Sequence, residues 1–139
     1  MLVKEVMTKK VSTIDINDSI FDAAMLYKNK KIGSLIVLDK NKCVGIVTER
    51  DIIERTICEN IDPKNTKISK IMSKDLKTIH KLDTIERAID IMFKNNIKKL
   101  PVISKDGIVG IITVTDISKA RPDLSKRFIE SWVKADWKD

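Results

Sequence analysis

The sequence predicts an α+β fold of two β-α-β-β-α units packed sheet to sheet, followed by a C-terminal helical tail. Three observations carry this expectation. Residues 7–52 lie over residues 72–117 in one ungapped register, and such self-similarity marks a unit used twice. Identities in that register include Met7/Met72, Thr13/Thr78, Ile14/Ile79, Asp18/Asp83, Ile20/Ile85, Ala23/Ala88, Leu35/Leu100, Val37/Val102, Gly45/Gly110, Thr48/Thr113 and Asp51/Asp116. Within each copy, apolar residues switch between strand and helix periods in the same order. A single copy is too small to bury a sheet face alone, so the two copies should pack on one another.

The elements follow in order. Val3 to Met7 reads as a lead-in of one helical turn. Val11 to Ile14 is a short β-branched strand. Asp18 is positioned to cap a helix in which Ile20, Ala23, Ala24 and Tyr27 share a face, and Lys30-Lys31 closes it with the charge that the helix dipole favours. Ser34–Leu38 and Val44–Val47 are strands joined by the polar turn 39–42. Thr48 starts a second helix through Ile52, Ile53 and Ile57. The second copy repeats the plan: strand Lys77–Ile79, helix Asp83–Asn95, strand Leu100–Ile103, turn Ser104–Gly107, strand Ile108–Ile112 and a helix from Thr113. Residues 1–58 and 67–120 are therefore expected to form the two motifs, with 59–66 linking them. Residues 121–139 form an extension. There, Arg121-Pro122 breaks the preceding helix, Asp123 or Ser125 can cap a new one, and Leu124, Phe128, Trp132 and Val133 share its apolar face, with Trp137 near the end. The extension either packs on its own domain or offers its tryptophans to a partner.

Composition narrows the function classes. Of 139 residues, 42% are apolar and only 4% aromatic, so the core must be aliphatic. The net charge of +7 suits anionic partners, but no Lys/Arg block has the length of a nucleic-acid arm. Cys43 and Cys58 lack metal-ligand spacing, so no metal site is expected. No stretch resembles a membrane span or a signal peptide, which leads to the expectation of a cytoplasmic protein. The single histidine, His80, has no partners in a nucleophile-and-base pattern. No catalytic residue is assigned, and the chain is not expected to be an enzyme.

The motif that recurs most fully is Gly-x-x-Thr-x-x-Asp, at Gly45–Asp51 and Gly110–Asp116. Thr-x-x-Asp before an apolar run is a capping box, with Thr accepting the third N–H of the helix and the acid reaching back to the Thr N–H. The same geometry also suits a nucleotide. Helix-start N–H groups and a Thr hydroxyl can hold phosphate, and an Asp one turn in can accept both hydroxyls of a ribose. Gly45 and Gly110 would let a flat base or sugar approach the strand. Copy-to-copy identity strengthens both readings without separating them.

With the lead-ins Val6-Met7-Thr8 and Ile71-Met72-Ser73, the segments Ile32–Val37 and Ile97–Val102, and the closing Gly-x-x-Thr-x-x-Asp, residues 1–120 resemble a tandem pair of cystathionine β-synthase (CBS) domains, a Bateman module. That resemblance implies two motifs related by a pseudo-twofold axis. It also implies clefts that bind adenosine-containing ligands: AMP, ADP, ATP or S-adenosylmethionine. Asp51 and Asp116 would contact ribose, and Thr48 and Thr113 would contact phosphate. Thr13, Thr78, Ser34 and the strand around Lys99 and Pro101 would line the base pocket. Lys98-Lys99 stand where the family often carries basic residues and the first copy has Gly33-Ser34, while Arg50 faces Thr115 in the alignment. The two sites should therefore differ in affinity. The reading is a stand-alone regulatory ligand sensor that needs no cofactor and acts as a homodimer or on a separate protein. Two alternatives are a basic nucleic-acid-binding protein and a structural dimerisation module with vacant clefts.

Overall fold

The structure, a computed structural model, describes residues 1–128 and 130; Trp132, Val133 and Trp137 lie outside the described residues. The chain forms two compact units, one of Val11–Leu76 and the other of Met1–Lys10 together with the chain from Lys77 onward.

In the first unit the elements are β1 (Thr13–Asp15), α2 (Ile20–Asn29), β2 (Leu35–Asp39), β3 (Lys42–Val47) and α3 (Glu49–Ile52), preceded in the chain by α1 (Val3–Val6) of the other unit. The sheet order is β1-β2-β3. The pair β1/β2 is parallel and β2/β3 is antiparallel. The tight turn between β2 and β3 holds Lys40 and Asn41 at positive φ, 49° and 68°, the backbone that a two-residue hairpin with native twist requires. Ile14, Ile20, Ala23, Leu35, Val37 and Val47 form the aliphatic core. Ser19, not Asp18, caps α2, because its hydroxyl accepts the Asp22 N–H while Asp22 reaches back. Asp18 instead accepts the Asp15 N–H and closes the turn before the helix.

The second unit repeats this plan with β4 (Ile79–His80), α4 (Ile85–Asn95), β5 (Lys99–Ser104), β6 (Gly107–Thr113) and α5 (Val114–Ala120), in sheet order β4-β5-β6. Thr84 caps α4, while Asp83 bonds back to His80, as Asp18 does to Asp15. Both hairpins shift register at the same place in the repeat, between Val37 and Leu38 and between Val102 and Ile103. The bulge lies just before each motif glycine. Pro101 sits inside the middle strand without costing a bond to β6, although it lacks the N–H with which its counterpart Ile36 donates to the Ser12 carbonyl at 3.0 Å. Opposite it, Ile111 directs its N–H and C=O away from β5, to Thr8.

Thr8 brings in the feature that the repeat boundaries do not reveal, which is that the lead-ins are exchanged. Residues 1–10 precede the first copy in sequence but pack with the second. Val3 donates to the Asp83 carbonyl at 2.8 Å, and Thr8 and Ile111 exchange both backbone bonds at 2.8 and 2.9 Å. Residues 67–76 precede the second copy but pack with the first. Ile68 donates to the Asp18 carbonyl at 2.8 Å, and Ser73 and Ile46 exchange bonds at 2.9 and 3.1 Å. Motifs cut at 58 and 67 follow the sequence repeat, whereas the compact units divide after Lys10 and after Leu76. The physical reason lies at the sheet edges. β3 and β6 would each leave a row of open backbone groups, and a lead-in bridge takes up part of that row while burying Val3, or Ile68 and Ile71, in the core.

This exchange also decides what the motif glycines are for. A Cβ on Gly110 would lie 2.8 Å from the Met7 sulfur and 2.8 Å from the Thr8 carbonyl, and one on Gly45 would lie 2.6 Å from the Met72 sulfur and 3.0 Å from the Ser73 carbonyl. The expected approach of a base or sugar to these glycines is therefore corrected. The space is taken by a methionine of the protein itself.

Gly110→Ala should lower thermal stability by about 1–3 kcal/mol, the usual cost of overpacking, because the backbone carbonyl of Thr8 cannot step aside. Gly45→Ala should cost less, since its closest neighbour is the flexible end of Met72. Paired melting curves check this order, and a larger loss for Gly45→Ala would contradict it.

Candidate functional site

Both capping boxes are fully formed. Thr48 N–H donates to Asp51 Oδ2 at 3.0 Å while Asp51 N–H donates to Thr48 Oγ1 at 3.2 Å. Thr113 and Asp116 repeat this at 3.0 and 3.1 Å. The carboxylates therefore hold the same pose in both units, one oxygen bound back to the Thr N–H.

The other oxygen of each acid differs in its partner. Thr8 Oγ1, on the exchanged lead-in, donates to Asp116 Oδ1 at 3.0 Å. In the first unit Arg55 Nε lies 3.7 Å from Asp51 Oδ1, and the same guanidinium donates to the Ile71 carbonyl at 3.1 Å. Each acid is thus tied to the lead-in packed beside it, directly in one unit and through an arginine in the other. Neither Thr8 nor Arg55 was among the site residues expected from the sequence. The signal that points to them is weak: Thr8 is a hydroxyl matched by Ser73 in the repeat, and Arg55 stands one helical turn after Asp51 with Ala120 as its counterpart.

The remaining expected residues distribute unevenly. Lys99 pairs directly with Thr113 across β5 and β6, and Leu35 opposite Val47 puts Ser34 in the corresponding place beside Thr48. The Lys98 carbonyl accepts the Val114 N–H at 3.0 Å, so the first N–H of α5 is already engaged. Thr13 opens β1 opposite Ile36, and Thr78 immediately precedes β4. Pro101 is buried one residue past Leu100. Arg50 turns along its helix instead, with Nε donating to Glu54 at 2.8 Å and most of its side chain in solvent.

Tyr27, at the end of α2, also enters the first site. Its hydroxyl donates to the Val47 carbonyl at 2.7 Å, which fixes the end of β3 just before Thr48. Burial, together with the nearby charges of Glu49 and Asp51, holds the phenol proton well above its ordinary range. Beside it a surface hollow of about 450 Å³ is lined by Tyr27, Lys28, Lys30, Lys31, Ile32 and Glu49. The first unit thus has a basic rim of its own, which Gly33-Ser34 alone does not announce. The helix from Thr48 continues as a π-helical turn, Ile53–Ile57, a feature frequent at functional sites. Within it Thr56 is buried with its hydroxyl unpartnered. The thiol of Cys43 is pushed up to about 11 by burial, which disfavours the thiolate that a nucleophile needs. Among the described residues no group of His, Cys, Asp or Glu could hold a metal ion, and no helix is long and apolar enough to cross a membrane.

A family model for the CBS domain matches twice, at residues 3–57 and 68–123. The chain belongs to the CBS domain family. An uncharacterised 17.7 kDa protein of Acidianus ambivalens is 36% identical over 124 residues, 88% of this chain and 74% of that protein. The CBS domain-containing protein YhcV of Bacillus subtilis is 32% identical over 116 residues, covering 84% and 82%. Among solved structures, the CBS domain pair of protein MJ0100, in complex with 5′-methylthioadenosine and S-adenosyl-L-methionine, is 33% identical with a TM-score of 0.71, covering 86% of this chain and 94% of that one. With two such matches the chain is a CBS pair.

Tyr27 is the sole tyrosine, so tyrosinate absorbance reports it alone. A phenol whose folded pKa is raised stabilises the fold below its ordinary value of 10.0. That contribution is lost as pH rises above this value. Tyrosinate absorbance should therefore stay absent at about pH 11 and appear only with alkaline unfolding. Ionisation near pH 10 with the circular dichroism intact would contradict the burial described here.

Proposed function

We propose that this CBS pair is a regulatory module that senses adenosine-containing ligands, with AMP, ATP and S-adenosylmethionine as the candidates. The observation that carries the reading is the matched pose of Asp51 and Asp116. A carboxylate offers about four acceptor positions, and each of these acids is held from both sides, so its orientation is set before a ligand arrives. A vicinal diol such as ribose is the complement of a carboxylate fixed in this way. The adenosine compounds bound by the CBS pair of MJ0100 support the same class.

Thr48 and Thr113 serve the site through their caps, which fix the acids. Lys99 beside Thr113, and the lysine rim near Tyr27, supply the positive charge that would meet a ligand phosphate. Thr13, Thr78, Ser34 and Pro101 belong to the walls of the two sites in this reading. Arg50 contributes least, because Glu54 engages it. The module then acts as a homodimer or on a separate protein, changing the shape or stability of its units when the ligand binds.

Isothermal titration with AMP, ATP and S-adenosylmethionine tests the reading. At least one should bind below millimolar concentration, and Asp116→Ala or Asp51→Ala should weaken it about tenfold or more, the loss of a charged hydrogen-bond acceptor. If all three fail to bind, the adenosine reading fails. Binding that both substitutions leave unchanged would move the site elsewhere.

A further inference from the structure

We propose that Thr8 is a positioning residue for the second site, acting across 108 residues of sequence to fix Asp116 for a vicinal diol, and that Arg55 performs the same task less tightly for Asp51. The inference rests on the adenosine-ligand reading and deepens it, since it assigns residues that hold the site acids rather than touch the ligand.

The argument starts with where Thr8 is held. Its N–H and C=O both bond to Ile111, at 2.8 and 2.9 Å, and the neighbouring Met7 lies against Gly110. The backbone of Thr8 is therefore fixed to β6 independently of its side chain. From that anchor the hydroxyl donates to Asp116 Oδ1 at 3.0 Å. The Thr113 N–H donates to the other oxygen at 3.0 Å. One internal donor on each oxygen fixes the plane of the carboxylate. It also leaves each oxygen a further acceptor position, since a carboxylate oxygen can take two bonds. Two adjacent acceptors in a fixed plane match the two adjacent hydroxyls of a cis-diol, and a site ordered beforehand loses less entropy on binding.

Arg55 does this differently. Its Nε stands 3.7 Å from Asp51 Oδ1, an ion pair too long for a good hydrogen bond. Its other contact is to the Ile71 carbonyl of the lead-in beside it. The Arg55 side chain is about half exposed, 53%, so solvent screens the pair. Asp51 is consequently held more loosely than Asp116, and its charge is partly met by a cation that a second anion would share. The second site should discriminate for a diol more sharply than the first.

The test uses the whole chain with Asp51→Ala, so that only the second site binds. The tightest of AMP, ATP and S-adenosylmethionine is titrated against its 2′-deoxy analogue, with Thr8 unchanged, as Thr8→Val and as Thr8→Ser. Thr8 is exposed and keeps its backbone bonds in every variant, so the fold is not at risk. Thr8→Val should lower affinity for the ribo ligand about three- to tenfold, the worth of one solvent-facing bond to a charged group. It should leave the deoxy analogue nearly unchanged, and Thr8→Ser should restore the ratio. Without ligand, amide exchange at Thr113 should quicken several-fold in Thr8→Val and not in Thr8→Ser, because the carboxylate that accepts this N–H is no longer steadied. Equal losses for ribo and deoxy ligands, or an unaltered Thr113 amide, would overturn the positioning role while the adenosine reading stands. Failure of the unsubstituted chain to bind any of the three ligands would remove the reading and the positioning role together, whereas binding by that chain that Asp51→Ala abolishes would overturn the positioning role alone.

Discussion

Each unit of this protein is closed by a methionine lying on a glycine. Met7 occupies the space above Gly110, and Met72 that above Gly45. The contact works because the lead-in crosses to the sheet of the other repeat copy, where one residue later Thr8 or Ser73 bonds to the edge strand. A side chain at either glycine would separate the strand from the segment that covers it. The register of β6, the burial of Val3, and the seat of Thr8 beside Asp116 all follow from this contact.

The exchange also links the halves of the repeat to the candidate sites. The acids that a ligand would use are not isolated caps, since each is tied to the segment that closes its unit. In the second unit the tie is one hydrogen bond to the carboxylate from a fixed, uncharged hydroxyl. In the first it is an arginine spanning a carboxylate and a carbonyl. The capping box is the same in both copies while the supporting partner differs, a hydroxyl on the lead-in in one and a guanidinium on the helix in the other. The two candidate acids are therefore held by partners of different chemistry.

Much of this was legible in the residues. The ungapped repeat, the element order and the Thr-x-x-Asp caps followed from periodicity and capping chemistry, which are local. The matched pose of Asp51 and Asp116 followed from the same motif. What could not be read was non-local. Nothing in Met7 or Thr8 says which copy they join, because both copies offer the same glycine and the same open strand edge. For the same reason Gly45 and Gly110 looked like openings for a ligand, although a methionine fills them. Asp18 looked like a helix cap because Ser19 beside it is an equally good one, and only the backbone turn at Asp15 decides between them. The motif offers Arg50 as a ligand contact, and only the structure shows that Glu54, one turn on, pairs with it.

The exchange is therefore the claim on which the rest depends, and methyl-labelled methionine with proton NMR tests it most directly. Nuclear Overhauser contacts should connect the Met7 methyl to the Gly110 α-protons and the Met72 methyl to those of Gly45. Contacts from Met7 to Gly45 and from Met72 to Gly110 would contradict the account, and with it the seat assigned to Thr8.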